Sequence, residues 1–198
     1  MSTVIKKNIA VFASGTGTNA ANIIQYFLNN PSATVALIVC NNPQAGVLKI
    51  AESNNVPSLI IEKEKFFRGD GYLPELRNAH IDFIVLAGFL WKIPSTIINT
   101  WRDNIINIHP ALLPKFGGKG MYGNFVHEAV LSAKEKESGI TIHFVDEFYD
   151  NGKTILQVSC PVYENDTTET LAKRIHALEY ESFPKVIEEL IEKKQLSF

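Results

Sequence analysis

Four short apolar runs in the first half of the chain constrain its fold more than any other feature. They occupy residues 8–13, 34–40, 58–61 and 81–87, and they alternate with segments in which apolar residues have helical spacing. Strands that are almost continuously apolar are buried on both faces, as in a parallel sheet covered by helices. The pattern therefore predicts an α/β fold, a Rossmann-like, doubly wound and mostly parallel sheet with helices on both faces. Ligands are expected at the carboxyl ends of its strands.

The second half of the chain has a different pattern. Its predicted strands are residues 104–109, 139–146 and 154–162, and its predicted helices are 125–134 and 168–194. The last two strands alternate between apolar and polar residues, which favours an antiparallel extension of the sheet. Pro184 is expected to interrupt the long closing helix.

Composition indicates an ordinary globular protein. The chain has 198 residues, of which 45% are hydrophobic and 20% charged, and no repeat or linker divides it. We expect one domain, residues 1–198, with halves 1–103 and 104–198. The net charge of −2 gives no reason to expect nucleic acid. No apolar run reaches the length of roughly 20 residues that a membrane helix needs.

The cellular compartment is predicted from the N-terminus and the cysteines. The short polar N-terminus does not resemble a signal peptide. Cys40 and Cys160 lack metal or disulfide spacing, so a cytoplasmic protein is expected.

A glycine-rich turn, S-G-T-G-T-N-A at residues 14–20, follows the first strand and opens a helix. Glycine allows the backbone to approach a ligand closely, and a helix N-terminus offers unpaired N–H groups, so the turn predicts a phosphate site. Its spacing also satisfies the G-x-G-x-x-A of dinucleotide sites. Those sites require an acidic residue at the end of the second strand, where residues 39–42 have none, so a monophosphate is favoured over NAD. The alternative is a turn that only packs helix against strand.

Two polar residues end the fifth predicted strand. Alternation places Asn107 and His109 on the same face, and Pro110 stops the strand. An imidazole exchanges protons near neutral pH, and an amide donates to a developing oxyanion, so this strand end is a candidate catalytic site. The alternative is a capped strand end.

An acidic loop follows the strand that contains His143. One of its acids is expected to approach His109 and raise the pKa of that histidine; the alternative is an ordinary solvated loop. A metal site made by His109, His143 and Asp150 is a further possibility, but the spacing matches no common zinc pattern. We expect structural or surface roles for the remaining histidines: His80, His127, His143 and His176.

Together these segments resemble the glycinamide ribonucleotide formyltransferases, folate-dependent enzymes of purine synthesis. The resemblance rests on S-G-T-G-T-N at 14–19, A-G-F at 87–89, N-I-H-P-A-L-L-P at 107–114, and H-F-V at 143–145 followed by Asp150. It implies the formyltransferase fold, and transfer of a formyl group from 10-formyltetrahydrofolate to the amine of glycinamide ribonucleotide. It also implies a monomer or weak homodimer, and it requires no metal.

Carried over by position, the resemblance implies a role for each matching residue. Residues 1–103 would form the phosphate-binding half and 104–198 the catalytic and folate-binding half. The residues expected to bind the ribonucleotide are Gly15, Thr16, Gly17, Thr18, Asn19 and Glu179. Those expected to bind folate are Arg68, Leu90, Trp91, Lys92, Ile93, Asn107, Asp146 and Asp150. The catalytic set is Asn107, His109 and Asp150.

The implied mechanism uses Asn107 and protonated His109 as donors to a tetrahedral oxyanion. Asp150 is expected to favour the protonated form of His109 and, through water, to pass a proton from the attacking amine to the leaving folate nitrogen.

Two features depart from the family pattern. Leu90-Trp91 stands where the family usually has Met-Arg, and the loop at residues 117–123 is unusually long and glycine-rich. That loop is either a flap over the nucleotide or a surface insertion.

Three other functions are compatible with parts of the pattern. The enzyme rivals are methionyl-tRNA formyltransferase, expected to have an added RNA-binding domain, and formyltetrahydrofolate hydrolase, expected to have an added regulatory domain. A non-catalytic nucleotide-binding module is the rival from another class.

Overall fold

The computed structural model of the chain describes residues 6–68 and 70–195. Its strands are β1 (Lys7–Ala13), β2 (Ala33–Cys40), β3 (Ser58–Ile60), β4 (Phe83–Leu86), β5 (Ile105–His109), β6 (Glu137–Phe144) and β7 (Thr154–Pro161). Its helices are α1 (Thr18–Phe27), α2 (Gly46–Ser53), α3 (Lys63–Phe66), α4 (Leu73–Asn78), α5 (Ser95–Thr100), α6 (Asn124–Ser132) and α7 (Thr168–Gln195).

The strands form one sheet in the order β3-β2-β1-β4-β5-β6-β7. Strands β1 to β5 pair in parallel with one another, whereas β6 pairs antiparallel with β5 and β7 antiparallel with β6. This confirms the predicted mostly parallel sheet with an antiparallel extension. The carboxyl ends of β1, β4 and β5 consequently lie side by side at one edge.

Alternating residues of β1 supply two separate cores, one on each face of the sheet. Ile9 and Val11 pack with α1, α2 and α7, whereas Ala10 and Phe12 pack with residues of α3, α4 and α5. Burial of both faces explains why the strand is an unbroken apolar run. The predicted helices on both faces are confirmed.

Residues 66–79 were predicted to be helical in their later part, and α4 confirms this. The structure differs from the predicted elements in two other details. Helix α5 was not predicted, because a helix of six residues carries too little periodicity to be recognised. The interruption expected at Pro184 was wrong, since α7 runs unbroken through that residue.

The continuity of α7 has a specific cause. A proline inside a helix has no N–H to donate to the carbonyl four residues earlier. Here that carbonyl belongs to Tyr180, and it accepts a hydrogen bond of 2.9 Å from Nδ2 of Asn22 in α1. The carbonyl that Pro184 leaves unpaired thus docks α1 against α7.

Two further expectations concern compartment and membrane. Cys40 and Cys160 are buried free thiols, as expected. Within residues 6–68 and 70–195, no helix combines the length and apolar character needed to cross a membrane.

Candidate functional site

A cavity of about 570 Å³ opens where β1, β4 and β5 end. Its wall includes the glycine turn after β1, residues 87–90 after β4, and residues 107–110 at the end of β5. Residues 118–123 and Glu179 of α7 complete the enclosure. The sheet edge predicted to bind ligands therefore carries both of the predicted chemical motifs in one cavity.

The glycine turn has a backbone that only glycine fits at its fourth position, Gly17. Gly17 caps α1 with φ of 80°, and an added Cβ would lie 2.7 Å from Val47 at the start of α2. The first amide groups of α1 have no partner within the helix, and they carry the positive end of its dipole. The turn can therefore bind an anion through backbone N–H groups.

Asn19 and Glu179 join the glycine turn to α7. Nδ2 of Asn19 donates a hydrogen bond of 2.8 Å to Oε2 of Glu179, while Oδ1 of Asn19 is buried without a partner among the described residues. Burial raises the pKa of Glu179, and the hydrogen bond from Asn19 opposes that rise. An unpaired amide oxygen beside a polar cavity is costly, unless a ligand donates to it.

The strand ends are also tied to one another. The hydroxyl of Ser14 accepts a hydrogen bond of 2.9 Å from the backbone N–H of Leu90. The N–H of Ser14 in turn donates to the carbonyl of Gly88 at 3.1 Å. These bonds hold the glycine turn at a fixed distance from the residues after β4.

At the end of β5, Asn107 is oriented by a histidine from the neighbouring strand. The antiparallel register places His143 of β6 opposite Asn107. Nδ1 of His143 must donate to the carbonyl of Phe144 at 2.8 Å, because a carbonyl only accepts. Nε2 of a neutral His143 then accepts from Nδ2 of Asn107 at 3.1 Å. The second hydrogen of Nδ2 is directed toward Oδ1 of Asp150, 3.4 Å away.

Asp150 lies between the two histidines and the glycine-rich loop. Its Oδ2 accepts a hydrogen bond of 2.9 Å from the N–H of Gly118 and lies 3.5 Å from Nδ1 of His109. Its Oδ1 lies 3.7 Å from Nε2 of His143. The predicted approach of an acid to His109 thus occurs, and Asp150 is that acid.

The electrostatics of His109 differ from the expectation. Burial lowers the pKa of His109 below its ordinary value, and the charge of Asp150 offsets the shift only in part. Asp150 acts to raise the pKa of His109 as predicted, but desolvation lowers that pKa by more, because only 3% of the residue is exposed. For Asp150, burial acts to raise the pKa, but His143, His109 and the Gly118 amide together lower it below its ordinary value.

His109 is also less free to donate than expected. Its Nε2 lies 2.8 Å from the carbonyl of Phe116, so this nitrogen carries the hydrogen. In the neutral ring, Nδ1 is then unprotonated and faces Asp150. His109 is therefore arranged to receive a proton at Nδ1.

Three histidines assigned to structural or surface roles prove to contact this region. His143 orients Asn107, and His127 and His176 line the cavity. Strand register and helix packing bring them there, and sequence spacing does not reveal either. For His143 alone the sequence offered a signal, because the alternation of β6 places this residue on the same face of the strand as Thr141. His80 lies outside the cavity wall.

Several residues expected to bind folate lie outside the cavity wall. Exposed Arg68 pairs with Glu64 at 3.3 Å, and Asp146 accepts hydrogen bonds from Phe148 and Asn151 within its own loop. The three residues that follow Leu90 also lie outside it: Trp91, Lys92 and Ile93. Leu90 itself lines the cavity and is 46% exposed.

The convergence of His109, His143 and Asp150 does not make a metal centre. Among residues 6–68 and 70–195, no group of three or more His, Cys, Asp or Glu side chains is placed to hold a metal ion. Asn107 instead occupies the position between His143 and the carboxylate.

Comparison with known proteins gives one consistent family. The model of the family described as formyl transferase matches residues 7–187. The chloroplastic phosphoribosylglycinamide formyltransferase of Arabidopsis thaliana is 40% identical over 195 residues, which cover 96% of this chain and 67% of that protein. Phosphoribosylglycinamide formyltransferase of Bacillus subtilis is 38% identical over 190 residues, covering 93% of this chain and 95% of that protein.

Solved structures agree with the sequence comparison. The crystal structure of phosphoribosylglycinamide formyltransferase from Bacillus halodurans superposes with a TM-score of 0.86. It is 34% identical and covers 95% of this chain and 97% of that chain. The architecture and the site-bearing segments are thus shared over nearly the whole chain.

Proposed function

The chain belongs to the formyltransferase family, and from that premise we propose that it transfers a formyl group to the amine of glycinamide ribonucleotide. The donor is 10-formyltetrahydrofolate, and the products are formylglycinamide ribonucleotide and tetrahydrofolate. The reaction belongs to purine synthesis.

One observation carries the proposal. The same cavity joins an anion-binding glycine turn to a group of amide, imidazole and carboxylate side chains. A ribonucleotide bound by its phosphate at the turn would extend its glycinamide amine toward Asn107 and Asp150. Transfer of a formyl group to a phosphorylated amine requires this pair of features, whereas a nucleotide-binding module needs only the turn.

Asn107 supports the first chemical step. The amine attacks the formyl carbon, a C–N bond forms, and negative charge develops on the formyl oxygen. The amide of Asn107, held by His143, donates to that oxygen without having to reorganise. Its bond to Asp150 is long, at 3.4 Å, so the hydrogen directed there is readily given to a stronger acceptor.

Asp150 and His109 handle the proton. After the attack, the substrate nitrogen carries an extra proton, and the folate nitrogen N10 needs one before its bond to the formyl carbon breaks. The proton passes through water to the pair formed by Nδ1 of His109 and Oδ2 of Asp150. The same proton is then delivered to N10 as the C–N10 bond breaks and the carbonyl re-forms. The enzyme is unchanged at the end.

Asn19 and Glu179 bind the middle of the ribonucleotide. Oδ1 of Asn19, buried without a partner among the described residues, accepts a hydrogen bond from the substrate, and Glu179 contacts the glycinamide. On the folate side, Leu90 and Tyr149 line the cavity. The residues outside the wall keep their proposed roles in binding the folate: Arg68, Trp91, Lys92, Ile93 and Asp146.

The protein is proposed to act in the cytoplasm as a monomer or weak homodimer, with no nucleic-acid or membrane partner and no metal. Two buried free thiols fit a reducing compartment. The net charge of −2 fits small-molecule substrates. As one domain, its halves 1–103 and 104–198 share the sheet.

The test is formyl transfer by the purified protein. 10-Formyltetrahydrofolate is supplied with glycinamide ribonucleotide or with water alone, and both tetrahydrofolate and formate are measured. Tetrahydrofolate produced only with the ribonucleotide is the expected result. Formate released without it would indicate the hydrolase, and the absence of both products from folded protein would refute the proposal.

A further inference from the structure

Lys119 is the one lysine or arginine among the described residues that line the cavity. The glycine turn itself contributes no charged side chain, since residues 14–19 are S-G-T-G-T-N. Lys119 is exposed and makes no hydrogen bond or ion pair with any part of the chain that the structure describes. An uncommitted cation thus borders a cavity that contains an anion-binding turn.

The backbone presents Lys119 at the tip of a tight turn. The N–H of Met121 donates to the carbonyl of Gly118 at 3.1 Å, which closes a β-turn with Lys119 and Gly120 at its centre. Gly120 has φ of 93°, the conformation that the third position of a type II turn requires. The turn therefore depends on glycine after the lysine, and it projects the lysine from its second position.

The loop that carries Lys119 connects the two ends of the cavity. At its start, Gly118 is hydrogen-bonded to Asp150 at the catalytic end. At its far end begins α6, which packs against α7, and α7 carries Glu179 bound to Asn19 of the glycine turn. Lys119 lies between these anchors in the chain and lines the same cavity as the glycine turn.

Apart from Lys119, few groups that line the cavity can neutralise the charge of a phosphate monoester. Its other basic groups are imidazoles, and burial lowers the pKa of both His109 and His127, the latter to about 4. Two carboxyl groups, Asp150 and Glu179, line the same cavity. Lys119 is consequently the permanent positive charge available to a dianion there.

We propose that Lys119 is a specificity-determining residue that closes over the phosphate held by the glycine turn. The identity of the phosphorylated substrate rests on the proposed function. Its contact is made with the phosphate alone, so it contributes to binding of the ribonucleotide and not to the chemical step. The enzyme should therefore use Lys119 to distinguish the ribonucleotide from the unphosphorylated riboside.

Steady-state kinetics of Lys119→Met test the proposal. The KM for glycinamide ribonucleotide should rise about tenfold or more, as expected for the loss of one charge-assisted contact. The kcat and the KM for 10-formyltetrahydrofolate should stay within about twofold, and Lys119→Arg should restore most of the ribonucleotide affinity. Lys115→Met is the matched control, because Lys115 pairs with Glu135 at 2.8 Å and is outside this cavity wall.

Glycinamide riboside, which lacks the phosphate, separates this role from a general effect on the loop. Its kcat/KM should be the same for the wild type and Lys119→Met. An unchanged KM for the ribonucleotide would overturn the proposal, as would an equal loss with the riboside. A rise confined to the KM for the folate would also overturn it.

A failure of the proposed function is recognised separately. Wild-type protein inactive toward the ribonucleotide would refute the function, and binding of ribose 5-phosphate is then measured by calorimetry. Binding by wild type that weakens about tenfold in Lys119→Met, and not in Lys115→Met, supports the phosphate contact. Equal binding by all three proteins, or none by the wild type, contradicts it.

Discussion

Asp150 is the residue that connects the polar groups of the cavity. It has φ of 51°, which is a left-handed conformation. That conformation costs energy for any residue with a Cβ, although Asp tolerates it better than most. It brings one carboxylate oxygen toward Asn107 and His143, and the other toward His109 and Gly118. The positioning of the whole site thus depends on one locally strained residue.

Variants at Asn107 and Asp150 test the mechanism. Asn107→Ala should lower kcat by roughly 10²–10³, the usual cost of losing one oxyanion donor. Asp150→Asn should lower kcat by at least a similar factor, because the amide cannot accept the proton. Both are measured under saturating substrates, with circular dichroism and thermal melts to establish that the fold is retained.

Glu147→Gln is the matched control for Asp150→Asn. Glu147 belongs to the same loop, but it is exposed and does not line the cavity. Its kcat should stay near the wild-type value. Wild-type turnover in Asn107→Ala or Asp150→Asn would remove that residue from the mechanism.

His127 should make stability depend on pH. Burial lowers its pKa from 6.5 to about 4, so the unfolded chain binds this proton at a higher pH than the folded protein does. The contribution of neutral His127 to the free energy of unfolding is fully present above the ordinary histidine pKa. That contribution is lost as the pH falls from 6.5 to about 4. Over that interval one proton changes the free energy of unfolding by up to about 1.4 kcal/mol per pH unit.

Urea unfolding at several pH values checks this expectation. His127→Gln, which does not titrate, should show a shallower loss of stability across that pH interval. The control is His80→Asn, since His80 is exposed and Asn tolerates its left-handed backbone. A His127→Gln slope equal to that of wild type would show that this proton is not linked to folding.

At the scale of the elements, contacts between α1 and α7 position the glycine turn at one end of the cavity. Three side chains of α1 donate hydrogen bonds to α7: Asn19 to Glu179, Asn22 to the carbonyl of Tyr180, and Tyr26 to Glu188. The second contact exists because Pro184 leaves that carbonyl without its helical donor. A local helix-breaking residue thus becomes a point of attachment between two helices.

A double-mutant cycle tests the contact of Asn22 with α7. Asn22→Ala should lower the free energy of unfolding by about 1 kcal/mol, since it removes a hydrogen bond from a carbonyl that has no helical donor. In a Pro184→Ala background the same substitution should cost measurably less, because residue 184 then supplies an N–H to Tyr180. Additive effects in the cycle would show that the two contacts are independent.

At the scale of the whole molecule, one sheet joins the two halves of the chain. Strand β4 of the first half pairs in parallel with β5 of the second, directly beneath the cavity. The core that contains β1, α1 and α2 also includes α7 and residues of β6. The halves 1–103 and 104–198 therefore share both backbone pairing and apolar packing.

The two halves should unfold in one transition. Trp91 and Trp101 both belong to residues 1–103, so their fluorescence reports that half, and exchange of backbone amide hydrogens in α7 reports the other. The two probes should give the same unfolding free energy in urea, because separating the halves would break the β4–β5 pairing and open a shared core. A separate transition for α7 would contradict the single-domain prediction.

Much of this architecture could be predicted from the sequence, because its determinants are local. Continuous apolar runs specify strands buried on both faces, and the glycine turn is visible as a run of residues between strand and helix. The alternation of side chains along a strand was enough to predict that Asn107 and His109 lie on the same face. The α5 helix and the continuity of α7 could not be predicted, since so short a helix shows no clear period and the partner of the Tyr180 carbonyl lies on another helix.

The sequence by itself determined the fold class, the order of its layers, and which segments line the cavity. Tertiary structure alone decided that His143 orients Asn107, and that burial outweighs the carboxylate of Asp150 in setting the pKa of His109. The physical reason is the distance along the chain over which each effect acts. Backbone propensity and apolar period act within a few residues, whereas strand register, desolvation and ion pairing depend on groups that only the folded chain brings together.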